Sequence, residues 1–401
     1  MKVLVSNVGS TSFKHKLLEM DDESVLASGK VERVGGPKGF LSHEAAGREK
    51  VTREAQFPDH NAAIKMALEL LLDKKHGALK ELSEIAAVGF KTVHGGRFTG
   101  SLALTEDVLQ EMEGLSKLMP AHNPPYVSAI RVFQGLLPGV PLVGVFETAF
   151  HRDLPPKAFL YSIPYEWYER FGIRRYGFHG ASHRYISERV PEILGKPRDS
   201  LKVISCHLGG SSSLCAIDGG RSIDTSMGFS AQAGVSMSTR SGDIDPFIIP
   251  YLVERGGLSL EEVRQALVKR GGLLGVSGVS GDVRDLEEAA EKGNERALLA
   301  LELFCYEVKK YIGAYAAALG GLDALAFTGG IGENGVGVRA SICEGLGFLG
   351  IELDGQKNLT RGQEAIISRE GSAVKVMVVP ANEELIVARE TLSVVQSQKE
   401  S

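Results

Sequence analysis

The stretch that decides the reading is Ile204-Ser205-Cys206-His207-Leu208-Gly209-Gly210-Ser211-Ser212-Ser213-Leu214-Cys215-Ala216-Ile217-Asp218-Gly219-Gly220. Val203 to Cys206 is a short apolar run, and Leu214 to Ile217 is another, closed by an Asp-Gly turn. The segment therefore reads as strand, loop, strand, tight turn. The loop between the runs is small-residue and hydroxyl-rich. Its consecutive backbone N–H groups can form a concavity for phosphate oxygens. It is not a Walker loop, because no Gly-Lys-Ser/Thr follows and the next element is a strand. The plainer reading is a Gly/Ser-rich hairpin without a ligand.

The hairpin has an echo at the start of the chain. Val3-Leu4-Val5-Ser6-Asn7-Val8-Gly9-Ser10-Thr11-Ser12-Phe13-Lys14 is again strand, Gly/Ser/Thr loop, strand. Asn7 to Ser12 stands against His207 to Ser212. Two related halves, each opening with such a hairpin, predict a duplicated fold with a ligand cleft between the halves.

The chain has 401 residues, more than one hydrophobic core usually serves, so two domains are expected. Hydrophobic residues at 43% and charged residues at 24% describe an ordinary globular protein. A net charge of -5 argues against a nucleic-acid partner, whose footprint is basic. Cys206, Cys215, Cys305 and Cys343 form no CxxC pair, so free thiols in a reducing, cytoplasmic compartment are expected. Met1-Lys2 runs straight into a strand, so no secretory leader is expected. The apolar stretch from Ile312 to Phe327 is broken by Gly and Asp323, and no membrane partner is expected.

Outward from the hairpins, strands alternate with helices. Strands are expected over 25–34, 85–92, 142–146, 325–327 and 374–379. Helices are expected over 61–76, 105–118, 125–134, from 182, after Ser259, over 294–319 and from an opening at 380–384 to about 395. Gly35 to Arg48 reads as a Gly-rich connection and Gly271 to Gly281 as a Gly/Ser loop. The pattern predicts α/β halves with mixed sheets.

Three loops can hold a nucleotide: 207–213, 282–284 and 329–334. Gly329-Gly330-Ile331-Gly332 follows a strand and precedes a helix, a weak dinucleotide-like turn without the G-x-G-x-x-G order. Phosphoryl transfer needs positive groups aimed at the moving charge. Lys91, Arg240 and Arg284 are candidates, with Arg240 first; Arg174 and Arg175 read as surface or interface charges. His179 sits between Gly177 and Gly180, open to close approach, and can donate to a phosphoryl oxygen; as a lone histidine it is more often structural. Glu147 ends a strand, where ligands bind in open α/β sheets. Asn7 and Glu383 lie at the two chain ends and can meet around Mg²⁺ if the last helix packs back on the first half.

With these residues in place, the chain resembles the acetate kinase family almost end to end. The resemblance is carried by Asn7 to Lys14, Val93-His94-Gly95-Gly96, His122-Asn123-Pro124, Tyr176-Gly177-Phe178-His179-Gly180, Asp224 to Phe229, Thr239 to Pro246, Gly329 to Asn334 and Asn382-Glu383-Glu384-Leu385. It implies a duplicated actin/hexokinase/Hsp70-like (ribonuclease H-like) α/β fold with two domains, mixed sheets and an interdomain cleft. The expected division is 1–150 plus 385–401 against 151–384. It also implies a homodimer, Mg²⁺, and transfer of the ATP γ-phosphoryl group to a short carboxylic acid, reversibly with ADP. On this resemblance His179 and Arg240 stabilise the transition state. Glu147 positions the acid or Mg²⁺, and Asn7 and Glu383 associate with the metal. Lys14, His207, Leu208, Gly209, Gly210, Ser211, Asp282, Val283, Arg284, Gly329, Gly330, Ile331, Gly332, Glu333 and Asn334 hold the nucleotide. Lys91, Val93, Ala121, Phe178 and Ala231 hold the acid.

The departures from the family pattern fall at this site. Lys91 stands where the family has Arg, keeping charge but losing the bidentate fork. Glu147 stands where the family has Asp, reaching one methylene further. Gly210 replaces an Asn, Ala121 a Leu and Ala231 a Pro. A roomier, more polar acid pocket is expected. The alternatives are a larger or more polar acid, pyrophosphate as donor, or a catalytically lapsed nucleotide-binding paralogue.

Overall fold

Eight strands of the N-terminal half share one sheet: β1 (Lys2–Gly9), β2 (Ser12–Glu19), β3 (Ser24–Glu32), β4 (Gly39–Ala45), β5 (Val51–Ala55), β6 (Ile85–Thr92), β7 (Ser101–Ala103) and β8 (Leu142–Phe146). Their order is β5-β4-β3-β2-β1-β6-β8-β7. β1 runs antiparallel to β2 and parallel to β6, and β6 runs parallel to β8. The computed structural model describes residues 1–117 and 123–400. It divides into unit 1, Met1–Arg152 with Asn382–Ser401, and unit 2, Asp153–Ala381.

Unit 2 holds a second mixed sheet of β9 (Lys202–His207), β10 (Ser213–Asp218), β11 (Arg221–Thr225), β12 (Ala324–Thr328), β13 (Ala365–Ile366) and β14 (Lys375–Val378). Its order is β11-β10-β9-β12-β14-β13, with β9 antiparallel to β10 and parallel to β12. The run β3-β2-β1-β6-β8 of unit 1 thus has the same order and sense as β11-β10-β9-β12-β14 of unit 2. The echo between the two hairpins is a duplication of topology.

β1 is buried on both faces, from Val3 to Ser6. One face packs Leu4 and Val8 against Phe13, Ile64 and Phe133. The C-terminal helix, Glu383–Glu400, returns to the same unit. It lies so close to β6 that a Cβ on Gly89 would meet Thr391 Oγ1 at 2.2 Å. Glycine at that strand position is what admits the helix. In unit 2 the helix Glu295–Leu319 places Ala297, Ala300, Phe304, Val308, Ile312 and Tyr315 on one buried stripe, against Ile204, Leu214 and Phe327. Asn294 caps it by accepting from the Ala297 N–H at 3.0 Å.

Several expectations need correction. The stretch read as a Gly-rich connection contains β4. Beyond its glycines, Leu41, His43 and Ala45 alternate inward while Glu44 is exposed. β5 follows it in the sheet. The stretch read as a Gly/Ser loop contains a short helix, Gly272–Ser277. The division placed after residue 384 falls instead between Ala381 and Asn382, because Glu383 and Glu384 pair with lysines of unit 1. Arg175 is not a surface charge: its guanidinium donates to the carbonyls of Ala158, Thr225 and Ser226. Arg174 stacks 3.9 Å over Phe159. The four cysteines are free and buried, and burial pushes their thiols up. Among the described residues, no helix is long and apolar enough to cross a membrane.

Candidate active site

In unit 1 the sheet carries a buried ion cluster. Lys91 stands near the end of β6, and Glu147 directly follows β8, with its N–H bonded to the Thr92 carbonyl at 2.9 Å. The parallel pairing of β6 with β8 places these two strand ends side by side. The C-terminal helix brings in Glu383 at its first residue. The Lys91 ammonium lies 2.9 Å from Glu147 Oε1 and 2.5 Å from Glu383 Oε2. Burial alone would pull the ammonium down, but the two carboxylates outweigh it and hold Lys91 well above the ordinary lysine range.

Asn7 and Glu383 lie in the same unit, and Tyr126 bonds the first of them. Tyr126 donates its hydroxyl to Asn7 Oδ1 at 3.1 Å and accepts from the Val8 N–H at 3.2 Å. Burial raises the Tyr126 phenol, and Lys91, Glu147 and Glu383 all act on it. Asn123 braces the loop after β6 by donating to the carbonyls of His94 and Met112. Val93 packs half-buried on the unit 1 core. Lys14 pairs across the hairpin with Asn7 and lines a unit 1 depression with Lys16 and Glu384. It therefore does not belong to the unit that carries the three loops. Ala121 lies outside the described residues.

Unit 2 gathers those three loops, as the sequence predicts. Gly209, Gly210, Asp282, Val283, Arg284, Gly330, Ile331 and Asn334 line one cavity of about 660 Å³, together with Ser238, Gly281, Glu287, Gly335 and Arg361. That volume lies within the range of small-molecule sites. The loops interlock through backbone: the N–H groups of Ile331 and Gly332 both donate to the Leu208 carbonyl. Gly329 makes this possible with φ +76°, and a Cβ there would meet the Leu208 carbonyl oxygen at 2.7 Å.

Not every residue of the loops faces the cavity. The Leu208 side chain is core. Glu333 turns to backbone, accepting from the N–H groups of Gly329 and Ala381, each at 3.0 Å. Asp282, although on the cavity wall, spends its carboxylate on capping the following helix, Val283–Glu291, and on clamping Arg284. Ser211 faces Arg240, whose Nη1 donates to Ser211 Oγ at 3.1 Å and to the Ala231 carbonyl at 3.0 Å. Among the described residues no carboxylate pairs with Arg240, and burial lowers its guanidinium below the ordinary value.

His179 follows the buried Phe178 and precedes the helix Gly180–Leu194. Its φ of 56° makes it one of three non-glycine residues with positive φ among the described residues. Such strain gathers at functional positions. Its ring stacks on that of His207, with centroids 4.2 Å apart, and His207 Nδ1 lies 2.8 Å from Ser182 Oγ.

Sequence reasoning missed Tyr126, Arg361 and Arg339; it placed Ser213 only within the 207–213 nucleotide loop and read His183 as structural. Arg339 is fully buried. It donates to the Gly332 carbonyl at 2.8 Å and to Asn358 and Thr360, tying loop 329–334 to the segment beyond it. No local pattern marks these residues, because each acts through a partner distant in sequence or through a backbone carbonyl.

The geometry agrees with what the chain is similar to. The acetokinase family model matches residues 2–389. An acetate kinase of Halothermothrix orenii is 51% identical over 398 residues, 99% of this chain and 100% of that protein. The crystal structure of Porphyromonas gingivalis acetate kinase superposes with TM-score 0.90 at 44% identity, covering 98% of this chain and 99% of that one. A propionate kinase from Francisella tularensis superposes with TM-score 0.90 at 37% identity, over the same shares. A family model that matches residues 2–389, and relatives about half identical along nearly the whole chain, show that the chain belongs to the acetokinase family.

Proposed function

We propose that the protein transfers the γ-phosphoryl group of ATP to a short-chain carboxylate, forming an acyl phosphate, and runs the reverse reaction with ADP. The observation that carries this reading is Arg240. It is a mostly buried guanidinium whose partners are neutral: Ser211 Oγ, the Ala231 carbonyl and Met237 Sδ. Such a cation gains most from an anion that arrives with the reaction, and a transferring phosphoryl group is one. His179 adds a ring N–H donor to the same chemistry. The unit 2 cavity takes the nucleotide, with backbone N–H groups at Gly210 and Gly330 and the Arg361 guanidinium facing its phosphates.

Lys91, Glu147 and Glu383 form the acid-side cluster, with Val93 following Lys91 on the same unit. Lys91 supplies charge for the substrate carboxylate, and Glu147 keeps the ammonium aimed. The donor set also fits Mg²⁺: Asn7 and Glu383 offer one neutral and one anionic oxygen, and Mg²⁺ takes few protein oxygens beside phosphates and water. Asn7 Oδ1 keeps a second lone pair beyond the one Tyr126 engages. When bound, the ion would neutralise phosphate charge.

Relatives named for acetate and for propionate support a short acid. A cytoplasmic location suits four buried thiols. A homodimer suits unit 2, where Phe247 is 78% exposed and Tyr251 66%; light scattering tests this by a mass of twice the chain. The reaction is tested by ATP formation from ADP, acetyl phosphate and Mg²⁺, followed with luciferase. Steady ATP production is expected; its absence with both acetyl and propionyl phosphate would overturn the reading.

A further inference from the structure

We infer that Ser213 and His183 are positioning residues that set the tautomer of His179. Ser213 Oγ lies 2.8 Å from His179 Nδ1 and 2.8 Å from His183 Nε2. On its far side, His183 Nδ1 lies 2.8 Å from Ser205 Oγ. His183, Ser205 and Ser213 are fully buried.

A serine hydroxyl has one hydrogen, so Ser213 can donate to only one of the two rings. If it donates to His179 Nδ1, it must accept from His183 Nε2–H. His183 Nδ1 is then an acceptor, filled by the Ser205 hydroxyl. If it donates the other way, every bond in the row reverses, and His179 carries its hydrogen on Nδ1. While Ser213 donates its hydrogen within the row, the two imidazoles are therefore held to the same tautomer through one shared hydrogen. Which nitrogen carries the proton is set by the bond the other nitrogen makes.

Two considerations choose the direction. Neutral imidazole intrinsically favours the Nε2–H form, and the first arrangement satisfies that preference in both rings. The first arrangement also leaves His179 Nε2 as the donor nitrogen that a phosphoryl oxygen needs; this second point rests on the kinase reading above. The stacked His207 ring holds the plane of His179 while the row sets its hydrogen. No proton is transferred in this account: the row fixes where a hydrogen resides.

The test is long-range ¹H–¹⁵N correlation on full-length protein labelled at histidine, which separates Nε2–H from Nδ1–H rings without requiring turnover. In the wild type, His179 and His183 are both expected as Nε2–H. Ser213→Ala is expected to give mixed tautomers at His179 and to lower kcat roughly 10- to 100-fold, the range lost with orienting partners. The nucleotide KM is expected to stay within about twofold. Ser213→Thr, which keeps the hydroxyl, restores both. Should Ser213→Ala not fold, His183→Gln and His183→Leu make the same contrast, since the Gln amide can still donate to Ser213. An Nδ1–H His179 in the wild type, or an unchanged His179 tautomer when the hydroxyl is lost, would overturn the inference. A wild type that transfers no phosphoryl group overturns the kinase reading alone, because the tautomer spectrum is read independently.

Discussion

Each unit holds a largely buried candidate cation, and the two are satisfied in opposite ways. Lys91 of unit 1 touches two carboxylates, Glu147 and Glu383. Arg240 of unit 2 touches a hydroxyl, a carbonyl and a thioether. A paired cation is structure that a substrate must join or disturb; a cation among neutral groups is stored attraction for an anion still to come. The two hairpins differ in the same spirit. Gly9 pairs with Ser12, so the first turns on two residues, and its chemistry sits in side chains such as Asn7 and Lys14. His207 pairs with Ser213, so the second has a five-residue loop, and its chemistry is backbone N–H groups in a cavity wall. Duplication supplied one frame, and loop length and charge pairing divided the labour.

The sharpest way to break the comparison is at Arg240. Arg240→Ala is expected to lower kcat/KM by roughly 10³-fold or more, as for loss of a charge that acts only on the transferring group. Far-UV circular dichroism should be unchanged, because its lost partners are neutral. A loss under tenfold, measured in the ATP-forming direction, would mean Arg240 is structural.

Lys91 should show the reverse balance. Lys91→Met takes the ammonium from the buried Glu147 and the part-buried Glu383, and urea unfolding at pH 7 is expected to report a loss of about 3–5 kcal/mol. Lys91→Met with stability intact would show that the cluster is held by something other than the ammonium. Because the folded pKa of Lys91 is raised, its contribution is present below the ordinary value of 10.5 and lost only as pH climbs beyond it.

Acid stability separates unit 1 further. His15 stacks between Phe13 and His43 and is buried, and burial pulls it from 6.5 to about 3. Between those values the unfolded chain holds a proton that the folded chain refuses. Stability therefore falls as pH drops from 6.5 toward 3, by up to about 1.4 kcal/mol per pH unit. His15→Phe should flatten that slope in urea titrations at pH 7, 6 and 5; an unaltered slope would place the acid sensitivity elsewhere. The smallest effect is expected at Gly210, where a Cβ would meet only Ser238 Oγ, at 3.4 Å. Gly210→Asn should fold normally and change nucleotide Kd by less than about tenfold, the worth of one hydrogen bond.

Much of this was legible in the sequence, and the pattern of success is physical. β6 and β8 are found where continuous apolar runs place them, and the Asn294 cap announces the long helix. The loops around Gly209, Val283 and Gly330 meet in one cavity because Gly and Ser leave backbone exposed, which composition reveals. β4 was hidden behind Gly35, Gly36 and Gly39, whose turn signal outweighed the alternation that follows. Lys91 and Glu383 are 292 positions apart, and nothing local in either states that they pair; only the return of the C-terminal helix onto Gly89 brings them together. The row from Ser205 through His183 to Ser213 is likewise invisible, since it needs the register of β9 against β10 and a helix laid beside them.

The most direct test of the account is hydroxylamine trapping of acyl phosphate from ATP, Mg²⁺ and acetate or propionate, run on the wild type and on Arg240→Ala beside a nucleotide-binding titration. The account predicts abundant hydroxamate from the wild type, and its loss in Arg240→Ala with nucleotide binding retained. Equal yields from the two proteins would contradict it, as would a wild type that binds nucleotide and phosphorylates neither acid.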